Sequence, residues 1–276
     1  MHMKMKFQNP NSEHVLEHSV VHFMLSFKRL CIITMACPVI AIIICLLTAV
    51  IFQAEDVHET HCRVYNIIPS ISAITGVSPQ RYLWRISVAL HIGPRFIIAA
   101  VYKAYHENSI NPAAESKLQA AARKWLKITF WLDIIEIGSL CGVTYISNRE
   151  NYPIHEKLFI TFMVSSLMHM LTSIKASKQV AQTRDELDAI QRILAFKQGL
   201  FILSVISTVG LIGFFLEHRY LCHDMAFSWF AFCEYVIASA NMAYHITVIY
   251  DFPTEHLIVA RCTKNIKKSS IDWKLN

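Results

Sequence analysis

An apolar run of 23 residues without a single charge covers positions 30 to 52 of this chain. A helix that crosses the hydrocarbon core of a bilayer needs about 20 mostly apolar residues. The chain has 276 residues, of which 54% are hydrophobic, and comparable apolar runs cover 154–174, 198–216 and 225–250. A soluble domain would interrupt such runs with polar residues at a helical period. The sequence therefore predicts an all-α, polytopic membrane protein.

Two weaker apolar segments, 82–105 and 125–146, carry ionisable side chains at depth. These side chains are Arg85, His91 and Arg95 on the first segment and Asp133 and Glu136 on the second. A charge near the bilayer centre costs roughly 2.5–3.5 kcal/mol on insertion scales, so such residues usually face a bundle interior. With both segments counted, we expect a six-transmembrane-helix bundle. Five spans are the alternative, if 82–105 only lies on the membrane surface.

The positions of lysine and arginine predict the orientation, because short cytosolic loops carry the excess of these residues. Eighteen fall in the two terminal segments and the 103–124 and 175–197 loops, and far fewer lie in the loops between. We therefore expect a cytosolic N-terminal tail (1–29), a six-span domain (30–252) with a lumenal loop (53–81), and a basic cytosolic C-terminal tail (253–276). The net charge of +6 then reflects topology and contact with anionic lipid rather than binding of nucleic acid.

The predicted topology places the eight cysteines in different compartments. Only Cys62 and Cys222 fall on the predicted lumenal side, one in the first loop and one in the last. Because the lumen is oxidising, we expect these two to form a disulfide if the loops meet.

Helical spacing predicts that the buried polar residues share an interior. His91 and Arg95 are four residues apart, and Asp133 and Glu136 are three apart, so each pair lies on one helix face. On the sixth segment, Asn241 and His245 follow Glu234 by seven and eleven residues and lie near the same line. The helical rise per residue gives the depth of each side chain below the lumenal end of its span. These depths predict two layers: an Arg95–Asp133 ion pair, and a cluster of His91, Glu136 and Glu234 nearer the lumen.

Three kinds of chemistry fit such a cluster. Carboxylates with histidines could bind a metal, but no HExxH or similar spacing occurs, so we expect no metal and no cofactor. His91 could act as a general base beside a carboxylate, although the nucleophile candidates Ser139, Cys141 and Cys233 sit in no recognisable motif. Alternatively, Arg85 or Arg95 could hold the phosphate of a lipid headgroup.

Short motifs along residues 30–252 resemble the post-GPI attachment to proteins factor 2 family, within the wider Frag/DRAM-like group of six-span proteins. The N-terminal half contributes Thr60-His61-Cys62, Pro69-Ser70-Ile71-Ser72, Pro79-Gln80-Arg81-Tyr82, Trp84-Arg85, His91 and Pro94-Arg95-Phe96. The remainder contributes Glu136, Thr144-Tyr145-Ile146-Ser147, His155-Glu156, Ser165-Ser166-Leu167, His169-Met170, Cys222, Glu234-Tyr235, Asn241-Met242-Ala243, His245 and Asp251-Phe252.

The resemblance implies a Golgi or endoplasmic reticulum membrane protein that acts in fatty-acid reacylation of GPI anchors. Its partners would be membrane lipid, GPI-anchored proteins as substrates, and other acyl-remodelling enzymes. The resemblance leaves open whether such a protein is itself an acyltransferase acting on lyso-GPI or a non-enzymatic lipid-binding scaffold. An autophagy-related paralogue of the same group is a further alternative. For a catalytic protein, we expect the catalytic residues to be His91, Glu136, Glu234 and His245, with Arg85 and Arg95 on phosphate.

Overall fold

A computed structural model describes residues 19–112, 115–181, 184–252 and 255–262. Six long helices dominate these residues: α1 (Phe27–Phe52), α4 (Gln80–Asn108), α5 (Ser116–Tyr145), α6 (Tyr152–Val180), α7 (Arg184–Leu221) and α8 (Ala226–Ile246). The short helices are α2 (Ala54–His58), α3 (Ile71–Gly76) and α9 (Val248–Asp251). The predicted all-α class is thus confirmed.

Four helical segments are long and apolar enough to cross a membrane: Phe27–Phe52, Gln80–Asn108, Tyr152–Val180 and Ile190–Leu221. Segment 82–105, which the five-span alternative places on the membrane surface, lies within α4 and so within one of the four. Helices α5 and α8 are also long, with 30 and 21 residues, but are not among these four. The protein is therefore a multi-pass membrane protein, and a count of six crossings stays a prediction.

The outward faces of the long helices are apolar. Large side chains that the bundle leaves exposed include Ile40, Ile43 and Leu47 on α1 and Ile202, Ile206 and Val209 on α7. A row of apolar side chains facing outward is unfavourable in water and is what a lipid environment requires. Polar side chains such as Glu136 and Arg95 are instead buried inside the bundle.

The segment between α1 and α4 packs on the helix ends rather than extending away from them. Ser70 caps α3 by accepting a hydrogen bond from the Ala73 amide at 3.1 Å, which starts this short helix. Ile74 of α3 is fully buried against α1 and α4. This end of the bundle also carries the Cys62–Cys222 disulfide, and we call it the disulfide end.

Helices α5 and α6 form a tight antiparallel hairpin. Asn151 accepts a hydrogen bond from the Ile154 amide and Pro153 occupies the first turn of α6, both of which favour a helix start. A Cβ atom added at Gly142 of α5 would lie only 2.7 Å from Leu158 Cδ2 of α6. Glycine at this position therefore permits the close approach of the two helices.

The chain divides into two compact units, one from residues 31–251 and the other from its two terminal parts. In the second unit, β1 (Ser19–Ser26) pairs antiparallel with β2 (His256–Cys262), with an irregularity between Val21 and Phe23. The sequence predicted polar tails here and did not indicate this two-stranded sheet. Residues 1–18 and 263–276 of the predicted tails lie outside the described residues.

Candidate functional site

The guanidinium of Arg95 lies at the centre of a buried polar cluster between α4, α5 and α8. Its Nη2 donates to Asp133 Oδ1 and also lies 3.5 Å from Glu136 Oε1. The predicted Arg95–Asp133 ion pair is therefore present, and both partners are buried. Because Asp133 and Glu136 are one helical turn apart on α5, a single arginine reaches both carboxylates.

Two residues of α8 complete this cluster around Glu136 Oε1. His245 Nε2 lies 2.8 Å from that oxygen, and Asn241 Nδ2 donates to it at 3.0 Å. Glu136 Oε2 has no hydrogen-bond partner within the part of the chain that the structure describes. Arg95 Nη2 also lies 3.1 Å from His245 Nε2. The cluster thus links α4, α5 and α8 and can fix the register of these three helices.

His91 hydrogen-bonds to α1 rather than to Glu136 or Glu234, its neighbours in the predicted layer. Pro38 of α1 has no N–H to donate to the Thr34 carbonyl one turn earlier. The structure shows His91 Nδ1 at 2.7 Å from that carbonyl oxygen. Because a carbonyl only accepts, Nδ1 carries the proton, and His91 replaces the donor that Pro38 lacks.

Glu234 also lies away from Glu136. Its Oε2 accepts a hydrogen bond from the Ile71 amide at 2.8 Å, so this buried carboxylate ties α3 to α8. His91 and Glu234 do share one feature, because both line a cavity of about 100 Å³ together with Asn241. Of the four predicted catalytic residues, Glu136 and His245 are thus in contact with each other, whereas His91 and Glu234 line the same cavity.

A second cavity, of about 230 Å³, lies between α6, α7, α8 and the segment around α3. Its wall is mostly apolar: Phe159, Ile160, Leu211, Ile212, Phe215, Phe227 and Phe230. Ile160 and Ile212 are more than half exposed on the outer surface, so the cavity opens towards the side of the bundle that faces lipid. The two cavities share Ser72, His155, Phe159 and Glu234 in their walls.

Arg85 meets groups of the chain itself at the disulfide end. Its Nη2 donates to the Tyr145 carbonyl at 2.8 Å and to Glu150 Oε2 at 2.7 Å. Glu150 also accepts from the Ser147 amide, and this bond together with Arg85 lowers the pKa of the Glu150 carboxyl to about 2. Arg85 and Arg95 are thus both paired with carboxylates, and a phosphate contact at either stays a prediction.

The Cys62–Cys222 disulfide is present and joins positions 160 residues apart. With both thiols oxidised, the nearby His61 has no thiolate beside it to form a metal site. Asp133, His169 and His245 place potential ligand atoms within 4.8 Å of one another. Arg95 Nη2 donates to Asp133 and lies 3.1 Å from His245 Nε2, so a fixed positive charge already occupies the position a cation would need.

Sequence reasoning missed two polar residues of the cavity wall, Ser72 and His155, whose side chains lie 2.9 Å apart. Both occur in the motifs that carry the family resemblance, which was the available signal. The predicted nucleophile Ser139 instead donates to backbone carbonyls of its own helix. Lys197, the last residue of the predicted 175–197 loop, is buried in α7 with its Nζ 3.2 Å from Asp251 Oδ2.

Comparison with known sequences shows which family the chain matches. The family described as "Frag1/DRAM/Sfk1/Cwh43P N-terminal domain" matches residues 26–255. A Drosophila melanogaster protein named "Post-GPI attachment to proteins factor 2-like" is 51% identical over 243 residues, which cover 87% of this chain and 74% of that protein.

More distant relatives carry a related name. "Acyltransferase PGAP2" of Xenopus tropicalis is 29% identical over 238 residues, covering 86% of this chain and 92% of the relative. The protein of the same name from Danio rerio is 32% identical over 198 residues, covering 72% and 83%. No solved structure matches the chain.

Proposed function

Since the chain belongs to the post-GPI attachment to proteins factor 2 family, we propose that it acts in the lipid remodelling of GPI anchors, by reacylation of the lyso-anchor with a saturated chain. Its substrates would be GPI-anchored proteins and a membrane-borne acyl donor. The name "Acyltransferase PGAP2", which two relatives carry, supports the catalytic form of the proposal. The proposed site of action is the Golgi membrane, with the endoplasmic reticulum as a second location.

The observation that carries the proposal is the apolar cavity of about 230 Å³ with a polar inner end. Pockets that bind lipophilic ligands combine apolar walls with a few placed polar groups. Each methylene buried there contributes about 0.8 kcal/mol to binding. An acyl chain that enters between Ile160 and Ile212 would bring its carbonyl to the polar wall formed by Ser72, His155 and Glu234.

The buried polar cluster around Arg95 has a different role in this proposal. Its members bind one another, and Arg95 and Glu136 are almost completely buried. We propose that Glu136 and His245 hold α4, α5 and α8 in register, while His91 and Glu234 line the reaction chamber. A reaction that needs Glu136 or His245 as a proton carrier would contradict this division.

The test uses purified protein in proteoliposomes that contain a phospholipid with a labelled saturated chain and a lyso-GPI acceptor. Transfer of the label to the acceptor is expected for the unaltered chain. Ile212→Trp, which narrows the cavity mouth, should reduce transfer at least tenfold. Val209→Trp is the matched control, because Val209 is on the same helix but 66% exposed and does not line the cavity.

The non-enzymatic alternative makes a different prediction in the same experiment. A scaffold would bind the labelled lipid in a fixed stoichiometry, with binding reduced by Ile212→Trp, but would transfer no label. A chain that neither binds nor transfers the lipid would contradict both forms of the proposal.

A further inference from the structure

Ser72 and His155 form a hydroxyl–imidazole pair at the wall shared by the two cavities. Ser72 Oγ lies 2.9 Å from His155 Nε2, and His155 Nδ1 lies 2.7 Å from the Ile146 carbonyl oxygen. Ser72 lies on α3 and His155 on α6, and the two residues are 83 positions apart in the chain. No helical period within one segment would bring them together.

The Ile146 carbonyl fixes the tautomer of His155. A carbonyl oxygen accepts but cannot donate, so the proton of the neutral ring is on Nδ1. Nε2 then has a free lone pair, and Ser72 must donate its hydroxyl proton towards it. This is the arrangement of an activated nucleophile: a hydroxyl against a base whose far side is oriented by a third group.

The position of the pair matches the position of lipid esters in a bilayer. His155 is the fourth residue of α6, so it lies about 4.5 Å along the axis from the start of a membrane-spanning helix. That depth is the boundary between headgroups and hydrocarbon. Ser72 is only half-buried, and it lines both cavities, so an ester carbonyl in the apolar cavity can reach its hydroxyl.

Neighbouring contacts hold the hydroxyl in place. Glu234 binds the amide of Ile71, the residue before Ser72, and Tyr235 donates to the Pro69 carbonyl at 3.2 Å. Both therefore anchor the segment that carries Ser72 to α8. Glu234 and Tyr235 are positioning residues in this arrangement, since they act on Ser72 through the backbone.

We propose that Ser72 is an acyl-accepting nucleophile and His155 its general base, with a membrane acyl ester as donor and a lysolipid hydroxyl as acceptor; this rests on the proposed acyl-transfer function. Ser72 Oγ attacks the ester carbonyl carbon while its proton moves to His155 Nε2. The bond to the donor's leaving oxygen breaks, and that oxygen takes the proton from His155. The product is an acyl ester on Ser72.

The second half of the reaction reverses these roles. The lysolipid hydroxyl gives its proton to His155 Nε2 and attacks the acyl carbon. The bond to Ser72 Oγ breaks, and Oγ takes the proton back from His155. Over the two halves, one acyl group moves from donor to acceptor and one proton moves from acceptor to donor. No oxidant, reductant or further reactant is required.

The first measurement is mass spectrometry of the peptide that contains Ser72, after incubation with a labelled phospholipid donor and no acceptor. We expect one acyl group on Ser72, and labelling of the same residue by a fluorophosphonate probe. Ser72→Ala should abolish both and reduce transfer at least about 10³-fold. His155→Gln should reduce the rate of labelling about 10²–10⁴-fold, the usual range for loss of a general base.

Ser165→Ala is the matched control, because Ser165 is a buried serine of α6 that donates to the Phe162 carbonyl of its own helix. It should label and transfer normally. Ser72→Cys keeps a nucleophile and should form a thioester that hydroxylamine cleaves. Each variant is accepted only if it is monodisperse and unfolds at a temperature close to that of the unaltered chain.

The outcomes distinguish failure of the Ser72–His155 proposal from failure of the proposed function. A well-folded Ser72→Ala variant that still transfers acyl groups, or a probe adduct on another residue, overturns the Ser72–His155 proposal and leaves the proposed function standing. Acylation of Ser72 without transfer to lyso-GPI supports the site and contradicts the GPI substrate.

Discussion

The guanidinium of Arg95 contacts two carboxylates from one helix, in the buried interior of the bundle. Removing one partner of a buried ion pair strands the other charge, at a cost of about 3–5 kcal/mol. We therefore expect Arg95→Leu to destabilise the protein by that amount, measured as thermal or denaturant unfolding in detergent micelles. Lys103→Ala on the same helix breaks a partly exposed pair with Glu107 and a cation–π contact with Phe130, and should cost about 1 kcal/mol.

If Arg95→Leu proves as stable as Lys103→Ala, the buried cluster does not fix helix register. A second variant distinguishes the effect of the positive charge from that of the planar guanidinium group. Arg95→Lys keeps the positive charge but loses the planar fork, so it should fall between Arg95→Leu and the unaltered chain.

Glu150 gives a pH dependence at the residue scale. Its pKa is lowered from an ordinary value of 4.5 to about 2 by the Ser147 amide and Arg85. A lowered pKa means that the stabilisation is fully present above about pH 4.5 and is lost as the pH falls towards 2. Glu150→Gln should therefore lower the unfolding temperature at pH 7, and the difference from the unaltered chain should shrink at pH 3. A difference that stays constant between these two pH values would contradict the assignment.

At the element scale, the close approach of α5 and α6 depends on Gly142. An added Cβ would lie 2.7 and 3.0 Å from the two Cδ atoms of Leu158, so either the Leu158 side chain or one of the helices must shift. We expect Gly142→Ala to destabilise the protein by about 1–3 kcal/mol, as overpacking does. Gly138→Ala is the control one turn earlier, where nothing lies within 4 Å of the added atom. This substitution should be neutral or stabilising by up to about 1 kcal/mol. Equal unfolding temperatures for the two variants would show that the helices adapt freely at Gly142.

The elements also explain which parts of the site the sequence could predict. Arg95 and Asp133 were paired by counting depth along two helices, which works because the helical rise is constant. Glu136 was assigned to the wrong layer because one helical turn is shorter than the reach of an arginine side chain. Ser72 could not be placed at all. It lies on a helix of six residues inside a loop, where tertiary hydrogen bonds rather than any periodicity fix its position.

At the scale of the whole molecule, the disulfide joins the first inter-helix segment to the turn before α8. That turn is held by the first segment through backbone as well, since the Met225 amide donates to the Tyr65 carbonyl at 2.9 Å. The apolar runs predicted the helices because hydropathy and length are properties of each segment alone. The pairing of β1 with β2 joins opposite ends of the chain, and no local pattern in either tail reports it.

The orientation of this molecule in the membrane can be tested by introducing glycosylation acceptors. The chain contains no Asn-x-Ser/Thr acceptor with a permitted middle residue, so an introduced acceptor reports on one position only. We expect an acceptor inserted after His223, at the disulfide end, to be glycosylated in microsomes, because a disulfide requires an oxidising compartment. The matched insertion after Asn111, beyond the opposite end of α4, should remain unmodified. Tags at both termini should be digested by protease added to sealed microsomes, since six crossings return the chain to the cytosol. Protection of only one tag would instead indicate an odd number of crossings, and glycosylation after Asn111 would invert the predicted orientation.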